Sequence, residues 1–188
     1  MLARRISQTL QAIATTAMLA VLTTNYASAA DAAPEAPFGD KVSAALLNYN
    51  RATPHIGTTG KYDPAAVTEI KALGFATTID LRAPSEEGVP AVAQAVRAAG
   101  LKYINIPVTT KAPTDDQVKE FARLVEDPAN YPILVNCVSA NRVGAMWALY
   151  RAGAGVPVEV AIEEGRTTGL KPSREKAVRE RLGAPAMN

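Results

Sequence analysis

One stretch late in the chain limits how it can fold. The apolar, β-branched run Tyr131-Pro132-Ile133-Leu134-Val135 has the length and character of a buried strand, and Val143, Met146, Trp147 and Tyr150 then recur at helical spacing. Between them lies Asn136-Cys137-Val138-Ser139-Ala140-Asn141-Arg142, a short polar loop at the seam between strand and helix. This loop opens the helix, and it holds the chain's only cysteine, five residues before an arginine.

A helix N-terminus offers unpaired backbone N–H groups and the positive end of the macrodipole. Anions settle there, and a thiol placed there ionises more easily. Cys137 is therefore the candidate nucleophile, and Arg142, a planar fork of donors, the candidate clamp for an oxyanion such as phosphate. The structural alternative is that Cys137 is a small buried hydrophobe and Arg142 a solvated helix-start residue. Strand, cysteine, polar loop, arginine and amphipathic helix occurring together weigh toward chemistry.

With 188 residues, 48% of them hydrophobic, the chain can bury one sizeable core, and a single domain is expected. The first thirty residues differ from the rest: Arg4 and Arg5, an apolar stretch from Ile13 to Leu22, then Ala27-Ser28-Ala29. This is the order of a secretory signal peptide, with cleavage after Ala29 or Ala30. The apolar stretch is broken by Thr15 and Thr16 and is short for a membrane span, so no stable membrane anchor is expected. Residues 31–41, rich in proline and alanine, read as a flexible leader, and residues 42–188 as the folded domain. The mature protein is expected to be soluble and periplasmic or secreted.

Without residues 1–30, which hold two arginines and no acid, the 20 basic residues fall to 18, equal to the 18 acidic ones. A neutral chain with no basic run gives no reason to expect nucleic acid as a partner. A lone cysteine makes no internal disulfide, and with His55 the only histidine the usual zinc ligand cluster is missing. Neither metal nor cofactor is expected, and the oligomeric state is left open.

From about Val42, strand-like and helix-like segments alternate, the pattern of an α/β domain with a mainly parallel central sheet flanked by helices. A helix is predicted from Asp63-Pro64, with Val67, Ile70 and Leu73 inward and a stop at Gly74, followed by a strand from Ala76 to Leu81. Pro90 to Ala99 reads as a helix closed by Gly100, and Lys102 to Ile106 as a strand. Thr114 starts a third helix with Gln117 as its capping-box partner, Val118, Phe121, Ala122 and Val125 share its inner face, and Asp127-Pro128 ends it. After the cysteine loop, helices are predicted from Val143 to about Ala152, from Pro157, and from Ser173 to Leu182.

The segment from Asn136 to Ala145 resembles the phosphate loop of cysteine-dependent protein phosphatases. Ile79-Asp80-Leu81-Arg82 with Glu86-Glu87, Tyr103-Ile104-Asn105-Ile106-Pro107-Val108, and Trp147-Ala148-Leu149-Tyr150-Arg151 resemble the beta-lactamase-hydrolase-like subgroup, over roughly Asn50 to Leu170. The resemblance implies a dual-specificity-phosphatase-like domain acting on a small or protein-borne phosphoester. In such an enzyme the cysteine attacks phosphorus, a cysteinyl-phosphate forms, and water hydrolyses it. Arg142 would hold the equatorial oxygens, and the N–H groups of Val138, Ser139, Ala140, Asn141 and Arg142 would line the anion.

The chain also departs from the wider phosphatase pattern. Four residues, not five, separate Cys137 from Arg142, Asn136 replaces a histidine, Ala140 a glycine, and Val143 a hydroxyl residue that supports the thiolate. Rhodanese-type sulfurtransferases, which carry a cysteine persulfide, share the four-residue spacing and are the first alternative. A catalytically weak or inactive anion-binding module is the second. Ser139 is a candidate to replace the missing hydroxyl, or else satisfies its own backbone.

For a general acid the loop from Val108 to Pro113 offers no carboxylate. The candidates are Asp115, with Asp116 beside it, and Asp80 at a strand end. For the first two, favourable charge in the first turn of the third helix is the simpler reading. Arg82 reads as a surface partner of Glu86 or Glu87, with support of the reactive loop as the alternative, His55 as structural or exposed, and Trp147 as core filling.

Overall fold

The computed structural model describes residues 40–186, so the expected signal peptide and nearly all of the expected leader lie outside the described residues. The strands are β1 (Asn50–Thr53), β2 (Ile56–Thr59), β3 (Thr77–Asp80), β4 (Lys102–Asn105) and β5 (Ile133–Asn136). They form one sheet in the order β1-β2-β5-β3-β4, in which β1 runs antiparallel to β2 and every other neighbouring pair is parallel. The helices are α1 (Val67–Ala72), α2 (Val89–Ala98), α3 (Asp115–Val125), α4 (Asn141–Gly153), α5 (Val158–Thr167) and α6 (Pro172–Leu182). This is the mainly parallel α/β architecture that the alternation of segments predicts.

β5 is the middle strand, and Ile133, Leu134 and Val135 are completely buried. Its two-residue period sorts side chains between layers. Ile133, Val135 and Cys137 join Phe121, Leu124 and Val125 of α3 and Val143, Met146 and Trp147 of α4. Leu134 faces the other way, onto Val67 and Ile70 of α1 and Val92 and Val96 of α2. Gly57 in β2 makes room on that face, because a Cβ there would lie 2.5 Å from the Phe75 ring.

The helix predicted from Asp63-Pro64 starts as a 3₁₀ turn, Pro64–Ala66, before α1, and Gly74 with φ 85° ends it. Leu73, expected inward, is only half-buried. The capping box of α3 forms as read, with the Thr114 hydroxyl accepting from the Gln117 N–H and the Gln117 side chain accepting from the Thr114 N–H. Leu124, absent from the expected inner face of α3, is buried there. The sequence reading has no paired strands before α1, whereas β1 and β2 form an edge hairpin around the Pro54-His55 turn. Asp40, assigned by the sequence to the leader, is held by the Arg51 guanidinium at 2.7 and 3.0 Å and by the Tyr49 hydroxyl at 2.5 Å.

α4, α5 and α6 pack on one another through Ala145, Ala148, Leu149, Ile162, Leu170 and Val178. Where α4 meets the end of α5 the backbones nearly touch: a Cβ on Gly144 would lie 2.1 Å from the Leu170 nitrogen and 2.5 Å from the Gly165 carbonyl oxygen. Gly144→Ala should destabilise the fold by about 3 kcal/mol, as overpacking against immovable backbone does. Gly153, in the same helix but facing open space, should gain about 0.5 kcal/mol on replacement by alanine. Urea denaturation of the two variants checks the contrast.

Candidate active site

The loop between β5 and α4 is shaped by three of its carbonyls. Val138 O accepts from the Lys61 N–H at 2.9 Å, Ser139 O from Asn48 Nδ2 at 3.3 Å, and Ala140 O from the Gly144 N–H at 2.8 Å. In a planar trans peptide the N–H opposes the C=O. The N–H groups of Ser139, Ala140 and Asn141 therefore point away from those three partners. Ala140 completes the curl at φ 62°, a left-handed conformation that costs a non-glycine residue about 1–2 kcal/mol. Cys137 lies at the base, 1% exposed, on the last buried turn of chain before the loop.

Arg142, in the first turn of α4, reaches across to the opposite wall. Its Nη1 and Nη2 donate to Glu86 Oε1 and Oε2 at 2.6 and 2.7 Å, and Nη1 also approaches the carbonyls of Leu81 and Val108 at 3.4 and 3.3 Å. Hydrogen bonding to Arg142 pulls the Glu86 carboxyl down to about 2, against the smaller opposing effect of burial. Glu86 is itself oriented by the Ala83 N–H at 2.7 Å. Arg82 does not take Glu86 or Glu87 as partner, which corrects the expected pairing. Its guanidinium spans both oxygens of buried Asp80 at 2.6 to 3.1 Å, a closer ligand two residues away on the same strand end.

A cleft of about 250 Å³ opens over the loop, with Lys111, Cys137, Asn141, Arg142, Ser173 and Arg174 in its walls. Among the described residues no carboxylate lines it. Asp80 is fully buried with Arg82 and the Tyr103 hydroxyl, and Asp115 is exposed and paired with Arg181 of α6. Asp116 is exposed in the first turn of α3. The structure thus brings together Cys137, Arg142 and the loop residues 138–141, but not Asp80 or Asp115.

Two cleft cations, Lys111 and Arg174, are not predicted by the sequence reading. Arg174 donates to the carbonyls of Thr110 and Lys111, so the basic wall joins α6 to the loop after β4. Burial, and next the positive charge of Arg142, lower the affinity of Arg174 for its proton. Asn141 links the two helix starts, donating to Ser173 Oγ at 3.0 Å and accepting from the Lys171 N–H at 2.8 Å. The readable signal was a cation in the first turn of a helix, where the dipole disfavours it.

The remaining candidates lie elsewhere. His55 stacks on Tyr131 at 4.9 Å, at the end of the sheet opposite Cys137. Trp147 fills the core and donates to Glu164 at 3.0 Å. The Ser139 hydroxyl makes no hydrogen bond among the described residues. Asn136 is fully buried, and neither polar atom of its side chain finds a partner among the described residues.

A family model described as "DSP-PTPase phosphatase fused to NAD+ Kinase" matches residues 65–180, more than half of the chain. The chain belongs to this family. It is thus a member of the cysteine-dependent, dual-specificity-like phosphatase superfamily, the superfamily to which the sequence resemblance also pointed, although the matching model is not named for the beta-lactamase-hydrolase-like subgroup. No curated protein sequence shows significant similarity to the chain.

Among solved structures, a putative phosphatase from Neisseria meningitidis Z2491 is similar with TM-score 0.61 and 27% identity, over 75% of this chain and 97% of that one. A putative phosphatase from Shewanella putrefaciens CN-32 is similar with TM-score 0.58 and 20% identity, over 76% and 96%. The core catalytic domain of the PP-IP phosphatase SIW14 from S. cerevisiae, solved with citrate, has TM-score 0.59 and 15% identity, over 71% and 85%. The last two likenesses concern the fold. Family membership agrees with the element order and gives the rhodanese-type alternative no support.

The Glu86–Arg142 pair makes a pH-dependent contribution whose sign follows from the carboxyl. Its affinity for protons is lower in the folded protein, about 2 against an ordinary 4.5. The contribution is therefore complete above about pH 4.5 and disappears as pH falls through 2. Glu86→Gln should lower stability by about 1 kcal/mol at pH 7, the scale of a part-exposed pair. The gap to the native protein should close by pH 2, as followed by denaturant midpoints across pH.

Proposed function

We propose that the protein is a phosphatase that removes a phosphoryl group through a cysteinyl-phosphate on Cys137. The observation that supports this most is the cleft itself: a thiol at its base, a loop curled through a left-handed Ala140, and an arginine at its wall held by a bidentate carboxylate. The thiolate of Cys137 attacks phosphorus, and the P–O bond to the leaving group breaks on the far side. Arg142 and the loop N–H groups take the equatorial oxygens, whose charge they stabilise without reorganising. Water then attacks phosphorus, a new P–O bond forms as the P–S bond breaks, and phosphate and the Cys137 thiolate are released.

Glu86 is a positioning residue in this scheme. It holds the Arg142 fork from behind, so the guanidinium edge is set before the anion arrives. The cleft, about 250 Å³, accepts the phosphoryl group with Lys111 and Arg174 beside it. With an aryl phosphate as substrate, Cys137→Ser should lower kcat/KM by at least about 10³-fold, the scale of losing a covalent nucleophile. Intact-mass measurement of the quenched native protein should show a phosphoryl adduct. Equal turnover by both proteins would remove the nucleophile, and anion binding without turnover would leave the inactive binding module.

The same proposal places the mature protein outside the cytoplasm, on the strength of Arg4, Arg5, the apolar stretch and Ala27-Ser28-Ala29. Expressed with its own N-terminus in a bacterial host, the protein should appear in the periplasmic fraction beginning at Ala30 or Asp31. Retention in the cytoplasm with residues 1–30 intact would overturn the export reading.

A further inference from the structure

Three positive side chains, Lys111, Arg142 and Arg174, stand around Cys137, and among the described residues no carboxylate lines the cleft. Among the described residues only Arg142 of the three has an acidic partner, Glu86 behind it. A phosphoryl group needs one arginine and the loop N–H groups, which leaves Arg174 and Lys111 facing the cleft without an anion. Burial of Arg174 beside Arg142 makes that unmet charge costly, and a second anionic group would relieve it.

The missing carboxylate bears on the leaving group. An alcohol is about as weak an acid as water, so its oxygen must receive a proton as the bond to phosphorus breaks. A general acid contributes about 10²–10⁴-fold to such a step. A phosphate leaving group, whose second pKa is about 6, departs as an anion without one. What it needs instead is positive charge at the oxygen that gains it.

Resting on the reading of Cys137 as nucleophile, we propose that the cleft takes a phosphoanhydride, with Arg174 and Lys111 holding the departing phosphate. The sulfur of Cys137 forms a bond to the terminal phosphorus, and the bond from that phosphorus to the bridging oxygen breaks. The bridging oxygen leaves with the electron pair as part of a phosphate that Arg174 and Lys111 neutralise. Water then cleaves the P–S bond, so one anhydride and one water give two phosphate groups. Arg174 is a specificity-determining residue, suited to the task because its fork is already fixed by the Thr110 and Lys111 carbonyls.

The test compares the full-length mature protein on three probes: inorganic pyrophosphate, p-nitrophenyl phosphate and β-glycerophosphate, without added metal. Pyrophosphate should be cleaved with a kcat/KM at least a hundredfold above that for β-glycerophosphate. Arg174→Met should lower kcat/KM for pyrophosphate at least tenfold more than for the aryl phosphate, Lys111→Met should act in the same direction, and Arg174→Lys should restore most of the loss. A structural role for Arg174 predicts equal losses on both substrates and overturns its assignment. If the aryl phosphate is cleaved through Cys137 but pyrophosphate no faster than β-glycerophosphate, the phosphoanhydride assignment is wrong and the phosphatase reading stands. If no probe is cleaved through Cys137, both fall.

Discussion

The paired hydrogen bonds between Arg142 and Glu86 set the geometry on which the rest of the site depends. They join groups 56 residues apart, one at the start of α4 and the other beyond the end of β3. Two parallel N–H to oxygen bonds fix both the direction and the plane of the guanidinium, which one contact would not. The edge of Arg142 that remains faces the cleft, and the loop beneath it is held through its carbonyls by Lys61, Asn48 and Gly144. An anion entering this site meets donors already aimed, and the cost of arranging them has been met during folding.

Charge in this region is distributed in pairs at two depths. Asp80 and Arg82 are both buried and neutralise one another behind the strand ends, with Asn105 Nδ2 donating to both of their carbonyls at 2.8 Å. Glu86 and Arg142 form the second pair, closer to the surface. The positive character of the cleft therefore rests on Arg174 and Lys111 rather than on the arginine of the loop motif. Arg174 is placed indirectly: its neighbour Glu175 is buried and takes bonds from Arg166 of α5 and Arg179 of α6, which locks the first turn of α6 against α5.

Local signals account for what could be read from the sequence. A strand, a short loop and a helix adjacent in the chain show themselves through periodicity, and Thr114 with Gln117, or Gly74 after Leu73, mark helix ends through bonds that span only a few residues. Cys137 and Arg142 belong to one such segment. The partners that complete the cleft do not: Arg174 meets Lys111 across 63 positions, and no pattern in either stretch reports the other. Glu86 is visible as an acid, but proximity in sequence favours Arg82 as its partner, and nothing local reveals that Asp80 already satisfies Arg82. β1 and β2 escaped notice because Pro54 divides them and because their polar residues, such as Thr58 and Thr59, become buried only once β5 lies beside β2.

Ala140 shows how the loop tolerates a departure from the glycine common in its superfamily. A left-handed residue with a Cβ carries backbone strain and also projects a methyl group into the neighbouring chain. The chain passing that methyl is Gly169, at φ 114°, where an added Cβ would lie 2.6 Å from Ala140 Cβ. Glycine is required at 169 both for the conformation and for the space, so the room that glycine would have provided in the loop is supplied by the turn between α5 and α6. That turn leads directly into Lys171, whose N–H is held by Asn141, and then into Arg174. The shape of the anion loop and the position of the second arginine are therefore settled by the same short contact between two loops. A substitution at Gly169 would disturb both together.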